Sequence, residues 1–465
     1  MPSRSCCLRL PRASLTLALL ALVPLGCSGE AKPDRLDLIV ISLDTCRADR
    51  LGCYGAPRAT PGIDRLAREA VQFRDCLVQA TLTAPSHLSL FTGHTEERHG
   101  MVSNRLRAEP PYTLASVLRH AGWRTAAFTG HGSLTAKHGL DFGFDTFQSW
   151  VGPPAAPFTR DLSEVVPHAL EWLDAMEQED VFLFVHAYDP HCPFWPPETY
   201  RTPPPPSTTF DPQATCHPSE FAGLITDGTI GEAEVRWIRE LYDGEIASAD
   251  AVLDSFLNAL DERGRLDSSI VVFTSDHGEV LGNHGWIGHG CLWEEAQRVP
   301  LLIRFPEGRW AGSLDDPVQT VDVMPTLLSA LGVDTPEGTQ GIDLLSRIRG
   351  EGQAIPSDRL RVCKQGPYVS VRAGPRFKIL FLDTGRRRVQ RMLFDLEVDP
   401  GEETNLVDAP GGQERFRAIL ERYDAWRAAE AAGDRRFASR LTAQDPEDRE
   451  AIEAMRALGY AGEDE

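Results

Sequence analysis

Residues 36–43 read Leu-Asp-Leu-Ile-Val-Ile-Ser-Leu, a nearly unbroken apolar run that ends at Asp44. A strand covered on one face alternates apolar and polar residues, whereas one covered on both faces reads continuously apolar, so this run predicts a buried parallel strand. Shorter runs of the same kind stand at 125–128, 181–186, 270–273 and 301–305. Between 181–186 and 270–273, Ile238, Leu241, Tyr242, Ile246, Ala249, Val252, Phe256 and Leu260 recur at helical spacing. Strands alternating with helices predict a doubly wound α/β sheet. In such a sheet ligands bind beyond the carboxyl ends of the strands, which singles out Asp44, the segment 186–191 and the pair Asp276 and His277.

After residue 350 the pattern changes to short extended runs at 368–372, 377–382 and 391–396, followed by a helix with Phe416, Ile419, Leu420, Tyr423 and Trp426 on one face. This predicts an α/β catalytic domain over 36–350 and a smaller α+β subdomain over 351–465, with a short docked helix at 457–461. The stretch 193–211, with consecutive prolines at 203–206, is excluded from helices and central strands and is expected as a surface excursion near the site. Trp195 and Tyr200 within it offer rings that stack on a sugar or simply pack.

The leader changes the picture of where the protein works. Arg4, Arg9 and Arg12 precede an apolar stretch at 15–25 that is too short to span a membrane, which predicts a signal peptide over 1–27 and a linker over 28–35. Val23-Pro24-Leu25-Gly26-Cys27 resembles a bacterial lipoprotein cleavage box, implying export across the inner membrane, lipidation of Cys27 and a membrane-anchored periplasmic or outer-surface protein. Of ten cysteines, seven lie between Cys46 and Cys363 with no CxxC spacing, which argues against a disulfide scaffold and a zinc knuckle. The balance of 47 Lys+Arg against 68 Asp+Glu, a formal −21, argues against a nucleic-acid partner. An anionic substrate then needs local positive charge, most simply a metal.

Three segments carry chemistry. Asp44 emerges from a buried strand into a polar loop, where a carboxylate serves as a metal ligand or as a cap or turn residue. Asp276 and His277, in Thr274-Ser-Asp-His-Gly-Glu279, follow another strand and can bend toward one ion; their oxygen and nitrogen donors suit zinc or manganese better than an all-oxygen calcium cage. Thr83, in Thr83-Ala-Pro-Ser-His-Leu-Ser-Leu-Phe-Thr-Gly93, begins a short helical run with Pro85 in its first turn. There its hydroxyl is either an N-cap or a nucleophile placed at the positive end of the helix dipole.

Together these segments resemble the sulfatase family of the alkaline phosphatase superfamily. The likeness extends through Asp44-Thr-Cys-Arg-Ala-Asp-Arg-Leu-Gly-Cys-Tyr-Gly55, Thr60-Pro-Gly-Ile-Asp-Arg-Leu66, Asp189-Pro-His-Cys-Pro193, Ser275-Asp-His-Gly-Glu279, Gly288-His-Gly290, Glu294-Glu-Ala-Gln-Arg-Val-Pro300 and Val321-Asp-Val-Met-Pro-Thr326. It implies the family's fold, one divalent metal ion (Mn, Zn or Ca) on Asp44, Asp276, His277 and Thr83, and a nucleophile at Thr83. It also implies catalytic contacts from His289 and His191, and substrate contacts from His87 and His131. For a second metal His284 and Asp189 are candidates, and nothing in their spacing selects them.

The departures from the pattern concern one place. Sulfatases use a Cys or Ser matured to formylglycine, whose two hydroxyls let one attack and the other expel sulfate; Thr83 has a single hydroxyl and cannot become that aldehyde. The usual Arg after Pro-Ser is His87, and the usual second Asp beside Asp44 is Thr45. A Thr ester is released only by a second attack at sulfur or phosphorus, the route of metal-assisted phosphoryl transfer. The expected function is a metal-dependent hydrolase of sulfate or phosphate esters on a small molecule, glycan or lipid head group. The alternatives are a phosphotransferase or phosphodiesterase acting on surface glycans or lipids, and a non-catalytic glycan-binding homologue.

Overall fold

The computed structural model divides the chain into Met1–Asp34 and Arg35–Glu465. It describes Met1 and residues 36–130, 132–149, 160–177, 179–385, 387–433 and 435–443. The leader with Cys27, the linker, His131 and the expected helix at 457–461 lie outside the described residues. No helix among the described residues is long and apolar enough to cross a membrane.

Eight strands form the main sheet: β1 (Asp37–Leu43), β2 (Val71–Leu77), β3 (Arg124–Thr129), β4 (Thr146–Ser149), β5 (Val181–Ala187), β6 (Ser269–Ser275), β7 (Arg298–Arg304) and β8 (Gly312–Gln319). Their order is β8-β2-β7-β6-β1-β5-β3-β4, and only β7 runs against the rest. The two faces of β1 feed different cores. Ile39, Ile41 and Leu43 pack with Val165 of the Leu162–Asp174 helix and Leu241 and Leu253 of the Glu232–Glu262 helix. Leu38 and Val40 point the other way, into the cluster holding Leu88, Leu118 and Leu327. Burial on both faces, at about 1.5–3 kcal/mol per large aliphatic side chain, is what a continuous apolar run provides.

All five predicted runs are strands, but 301–305 lies in the antiparallel β7. β2, β4 and β8 escaped the apolar pattern for physical reasons. β2 carries Arg74 and Asp75 mid-strand, β4 has four residues, and β8 is an edge strand bearing Asp315, Asp316 and Pro317 where ladder bonding is optional.

A second sheet, β9 (Leu360–Gln365), β10 (Tyr368–Ala373), β11 (Phe377–Asp383) and β12 (Arg388–Asp395), is an antiparallel meander. Phe416, Ile419 and Tyr423 of the Gly412–Ala432 helix pack on its Val369, Val371, Ile379 and Phe381. It is fastened to the main sheet by Lys364 N donating to Gln79 O at 2.9 Å, and by buried Lys378, whose Nζ lies 3.1 Å from Glu294 and 2.7 Å from Glu402. The stretch 193–211 is irregular apart from one short turn at Glu198–Tyr200. Its root is tethered by a Cys192–Cys216 disulfide that no short spacing announced. Arg201 covers the Trp195 ring at 3.8 Å.

Candidate active site

Asp44 directly follows β1, and Asp276 and His277 follow β6, its parallel neighbour. All three are buried, and one ligand atom from each lies within 4.8 Å of the others. The chain turns at Thr45 with a left-handed φ of 57°, an uncommon conformation for a non-glycine residue. That turn aims the Thr45 N–H at Asp276 Oδ1 (3.1 Å), which also accepts from the His277 N–H at 2.8 Å. Asp276 Oδ2 is buried without a hydrogen-bond partner. His277 Nδ1 donates to the Gly278 carbonyl at 3.2 Å, so the lone pair resides on Nε2, buried, unbonded and 3.4 Å from that oxygen. Gly278 is required here, because a Cβ would collide with the backbone oxygen of Glu295.

An orphaned carboxylate oxygen beside an orphaned imidazole lone pair is costly in a dry site, and a divalent cation satisfies both. The residues therefore fit a metal. Their electrostatics say the same. Burial, with Asp276 and Glu279 close by, pushes the Asp44 carboxyl well above its ordinary range. Burial also pushes Asp276 up, but His277, His87 and His186 overcome it and hold that carboxyl at about 2. A cation removes the conflict between the two carboxylates.

Thr83 opens the Thr83–Thr92 helix, which is buried at every position and ends where Gly93 adopts φ 64°. Leu82 occupies the cap position and no side chain caps the helix, so Thr83 is its first residue rather than its cap. Two neighbours fasten this turn to β6. The Ser86 hydroxyl donates to the Asp276 carbonyl at 2.6 Å, and the His87 ring lies 3.9 Å from Asp276 Oδ2. His87 donates from Nδ1 to the Thr83 carbonyl (2.8 Å) and accepts at Nε2 from the Ser42 hydroxyl (3.2 Å). Burial lowers its pKa to about 3, so the ring is neutral. Fully enclosed and bonded at both nitrogens, His87 braces Thr83 from behind.

His191 and His289 come together, their ring centroids 4.8 Å apart, with His277 4.6 Å beyond His289. His289 Nδ1 lies 3.2 Å from Glu279 Oε1. His284 stands apart, stacked on Trp293 with centroids at 3.8 Å, and Asp189 accepts from the Leu162 N–H at 2.8 Å. Neither joins the ligand groups among the described residues. Two buried residues were given no role by the sequence reading: His186, whose Nε2 is 3.5 Å from Asp44 Oδ2, and Glu279. The signal for His186 was its place at the end of an apolar run; Glu279 lay unexploited inside a recognised motif.

The sulfatase family model matches residues 37–333, which span β1, the Thr83 helix and the strand end bearing Asp276 and His277. The chain belongs to the sulfatase family. That makes it an ester-bond hydrolase by family, and sulfatases bind a divalent metal, for which the residue groups above are the candidates. It is 25% identical to the multifunctional alkaline phosphatase superfamily protein PehA of Trinickia caryophylli, over 85% of this chain and 96% of that one. It is 26% identical to N-acetylglucosamine-6-O-sulfatase of Bacteroides thetaiotaomicron, over 77% and 78%. In fold it is similar to the crystal structure of a phosphonate monoester hydrolase of Agrobacterium radiobacter, with a TM-score of 0.70, 22% identity, and coverage of 85% of this chain and 96% of that one.

Proposed function

We propose that this sulfatase-family chain hydrolyses sulfate or phosphate esters with the Thr83 hydroxyl as nucleophile. The observation that carries the reading is the bracing of Thr83: it is the first residue of a buried helix whose Ser86 hydroxyl bonds the backbone carbonyl of Asp276 and whose His87 ring, bonded to the Thr83 carbonyl, lies beside the Asp276 carboxylate. Asp44, Asp276 and His277, joined by the Thr83 hydroxyl, would hold the metal. When bound, a divalent ion supplies Lewis-acid stabilisation of developing oxyanions and acidifies a coordinated hydroxyl.

The chain's own residues account for the remaining work. Thr83 Oγ1 attacks phosphorus or sulfur, forming one ester bond as the bond to the departing oxygen breaks. The backbone N–H groups of the helix start favour the negative charge that develops there. His289 and His191 meet the charge on the departing oxygen. Water attacks the same phosphorus or sulfur and releases Thr83, since a single hydroxyl leaves no route by elimination. The similarity to an N-acetylglucosamine-6-O-sulfatase and to a phosphonate monoester hydrolase supports an anionic ester, on a small molecule, glycan or lipid head group, as the substrate. We place the protein outside the cytoplasm, anchored through Cys27; the Cys192–Cys216 disulfide supports an oxidising compartment.

Turnover of aryl sulfate, aryl phosphate monoester and aryl phosphodiester, measured in parallel with Thr83→Ala, tests the reading. Ester cleavage that vanishes in the variant is expected, with phosphoester favoured over sulfate. Equal turnover by both proteins overturns it.

A further inference from the structure

The second sheet reaches the candidate site at the end of β9. There the chain runs parallel to the segment just before Thr83: Lys364 pairs with Ala80, and its N–H donates to the Gln79 carbonyl at 2.9 Å. Alternation along β9 turns Val362 toward the second sheet's own core and Cys363 toward the main domain, so Gln365 shares the face of Cys363. Gln365 Oε1 accepts from the Thr81 hydroxyl at 3.5 Å, and Nε2 lies 3.8 Å from where a Cβ on Gly290 would stand. Thr81 and Gly290 are themselves joined, the Gly290 N–H donating to the Thr81 carbonyl at 3.2 Å. Thr81 precedes Thr83 by two residues and Gly290 directly follows His289, so one half-buried amide stands between the segments that carry the nucleophile and the leaving-group contact of the proposed reaction.

The chemistry of that amide is unlike the rest of the site. Asp44, Asp276 and Glu279 are buried carboxylates and His277, His191 and His289 buried imidazoles, groups suited to an ion or a charged ester. A carboxamide is neutral and carries two N–H donors. No acceptor among the described residues meets Gln365 Nε2. Gly290 keeps the space before it open, because its φ of 72° disfavours a residue with a side chain. A donor held from behind by Thr81 and open in front suits a neutral oxygen of the group that carries the ester, and a site built around such a bond rejects a carrier without that oxygen.

We propose that Gln365 is a specificity-determining residue that donates from Nε2 to a hydroxyl oxygen of the carrier, so that the site selects esters of hydroxyl-bearing carriers, sugars or glycerol, over plain aryl esters. The inference rests on the reading of His289 as the group facing the departing oxygen, since that places the carrier on the Gln365 side. It is tested by binding, so its outcome is separate from the identity of the nucleophile.

Glucose 6-phosphate, glycerol 3-phosphate and phenyl phosphate are titrated by calorimetry into full-length, Mn²⁺-loaded Thr83→Ala protein, alone and combined with Gln365→Leu or Gln365→Glu. Glutamate keeps the acceptor for Thr81 and lacks the donors, so a merely structural role survives it. Because a carboxylate repels every ester alike, the quantity read is the affinity relative to phenyl phosphate. Both variants are expected to lower that ratio about tenfold for at least one hydroxylated ester, and the ester affected tells a sugar carrier from a glycerol one. A ratio that stays within about twofold for both esters in Gln365→Leu, a fall that Gln365→Glu does not share, or no measurable binding of either hydroxylated ester overturns the proposal. Circular dichroism checks folding, and if one variant does not fold the other decides. Phosphate release by the Thr83→Ala parent overturns instead the reading of Thr83 as nucleophile, and the same ratios are then read from KM.

Discussion

The hydroxyl of Ser86 donates to the backbone carbonyl of Asp276 at 2.6 Å, joining the turn that bears Thr83 to the strand end that bears two metal candidates. On the proposed reading this bond would set how the Thr83 hydroxyl meets the ion, which makes Ser86 a positioning residue. Ser86→Ala is expected to cost about 1–2 kcal/mol of stability and to lower kcat roughly tenfold or more with a smaller change in KM. Ser86→Thr, which keeps the hydroxyl, should restore most of it. An unchanged kcat in the Ala variant contradicts the role.

Metal binding at Asp44, Asp276 and His277 should be visible in stability. A ligand that binds only the folded state, present at 1,000 times its Kd, adds about 4 kcal/mol. The melting temperature should therefore fall on chelation and recover with Mn²⁺ or Zn²⁺, and Asp276→Asn should blunt the response. Without an ion, burial and the neighbouring carboxylates hold the Asp44 carboxyl above its ordinary range, so binding must expel a proton. Affinity is expected to strengthen as pH rises through that range. Titration calorimetry in buffers of different ionisation enthalpy checks the proton release, and a pH-independent affinity contradicts it.

His138, which joins none of the ligand groups among the described residues, gives a separate pH effect. Its ring is bonded to the Thr135 hydroxyl at 3.0 Å and to the Asn104 carbonyl at 2.8 Å, and burial lowers its pKa from 6.5 to about 4. Above pH 6.5 the ring is neutral in both states and costs nothing. As pH falls from 6.5 toward 4 the unfolded chain takes up a proton that the folded chain does not, so stability is lost across this window, by up to roughly 3 kcal/mol. Urea unfolding of wild type and His138→Asn at several pH values should show the gap between them narrowing toward acid. A constant gap contradicts the assignment.

The Cys192–Cys216 disulfide anchors the segment immediately after His191. Bridging 24 residues, it should contribute about 3 kcal/mol. A Cys192→Ser, Cys216→Ser double variant is expected to melt lower and to raise KM, because His191 loses its fixed support. Unchanged melting and KM would show that the loop is held by its packing alone.

The parts of this structure legible in the sequence are those where one physical demand dominates. A strand buried on both faces must be apolar throughout, which exposed β1, β5 and β6, and with them Asp44, Asp276 and His277 at their ends. Where demands are mixed the pattern faded. β2 interrupts its core residues with the consecutive Arg74 and Asp75, and β8 tolerates Pro317 because it lies on the sheet edge. The pairing of Cys192 with Cys216 and the meeting of Glu279 with His289 depend on chain crossings that no local spacing records. The bond from His87 to the Thr83 carbonyl lies within one recognised motif, but the enclosure of its ring depends on packing that the motif does not record.

Mass spectrometry of the acid-quenched enzyme after mixing with aryl phosphate and, separately, aryl sulfate tests the central claim most directly. The account predicts a phosphoryl or sulfuryl adduct on the peptide containing Thr83, absent in Thr83→Ala and accumulating when the release step is slowed. Turnover that proceeds with no adduct at Thr83, and that persists in Thr83→Ala, would contradict it.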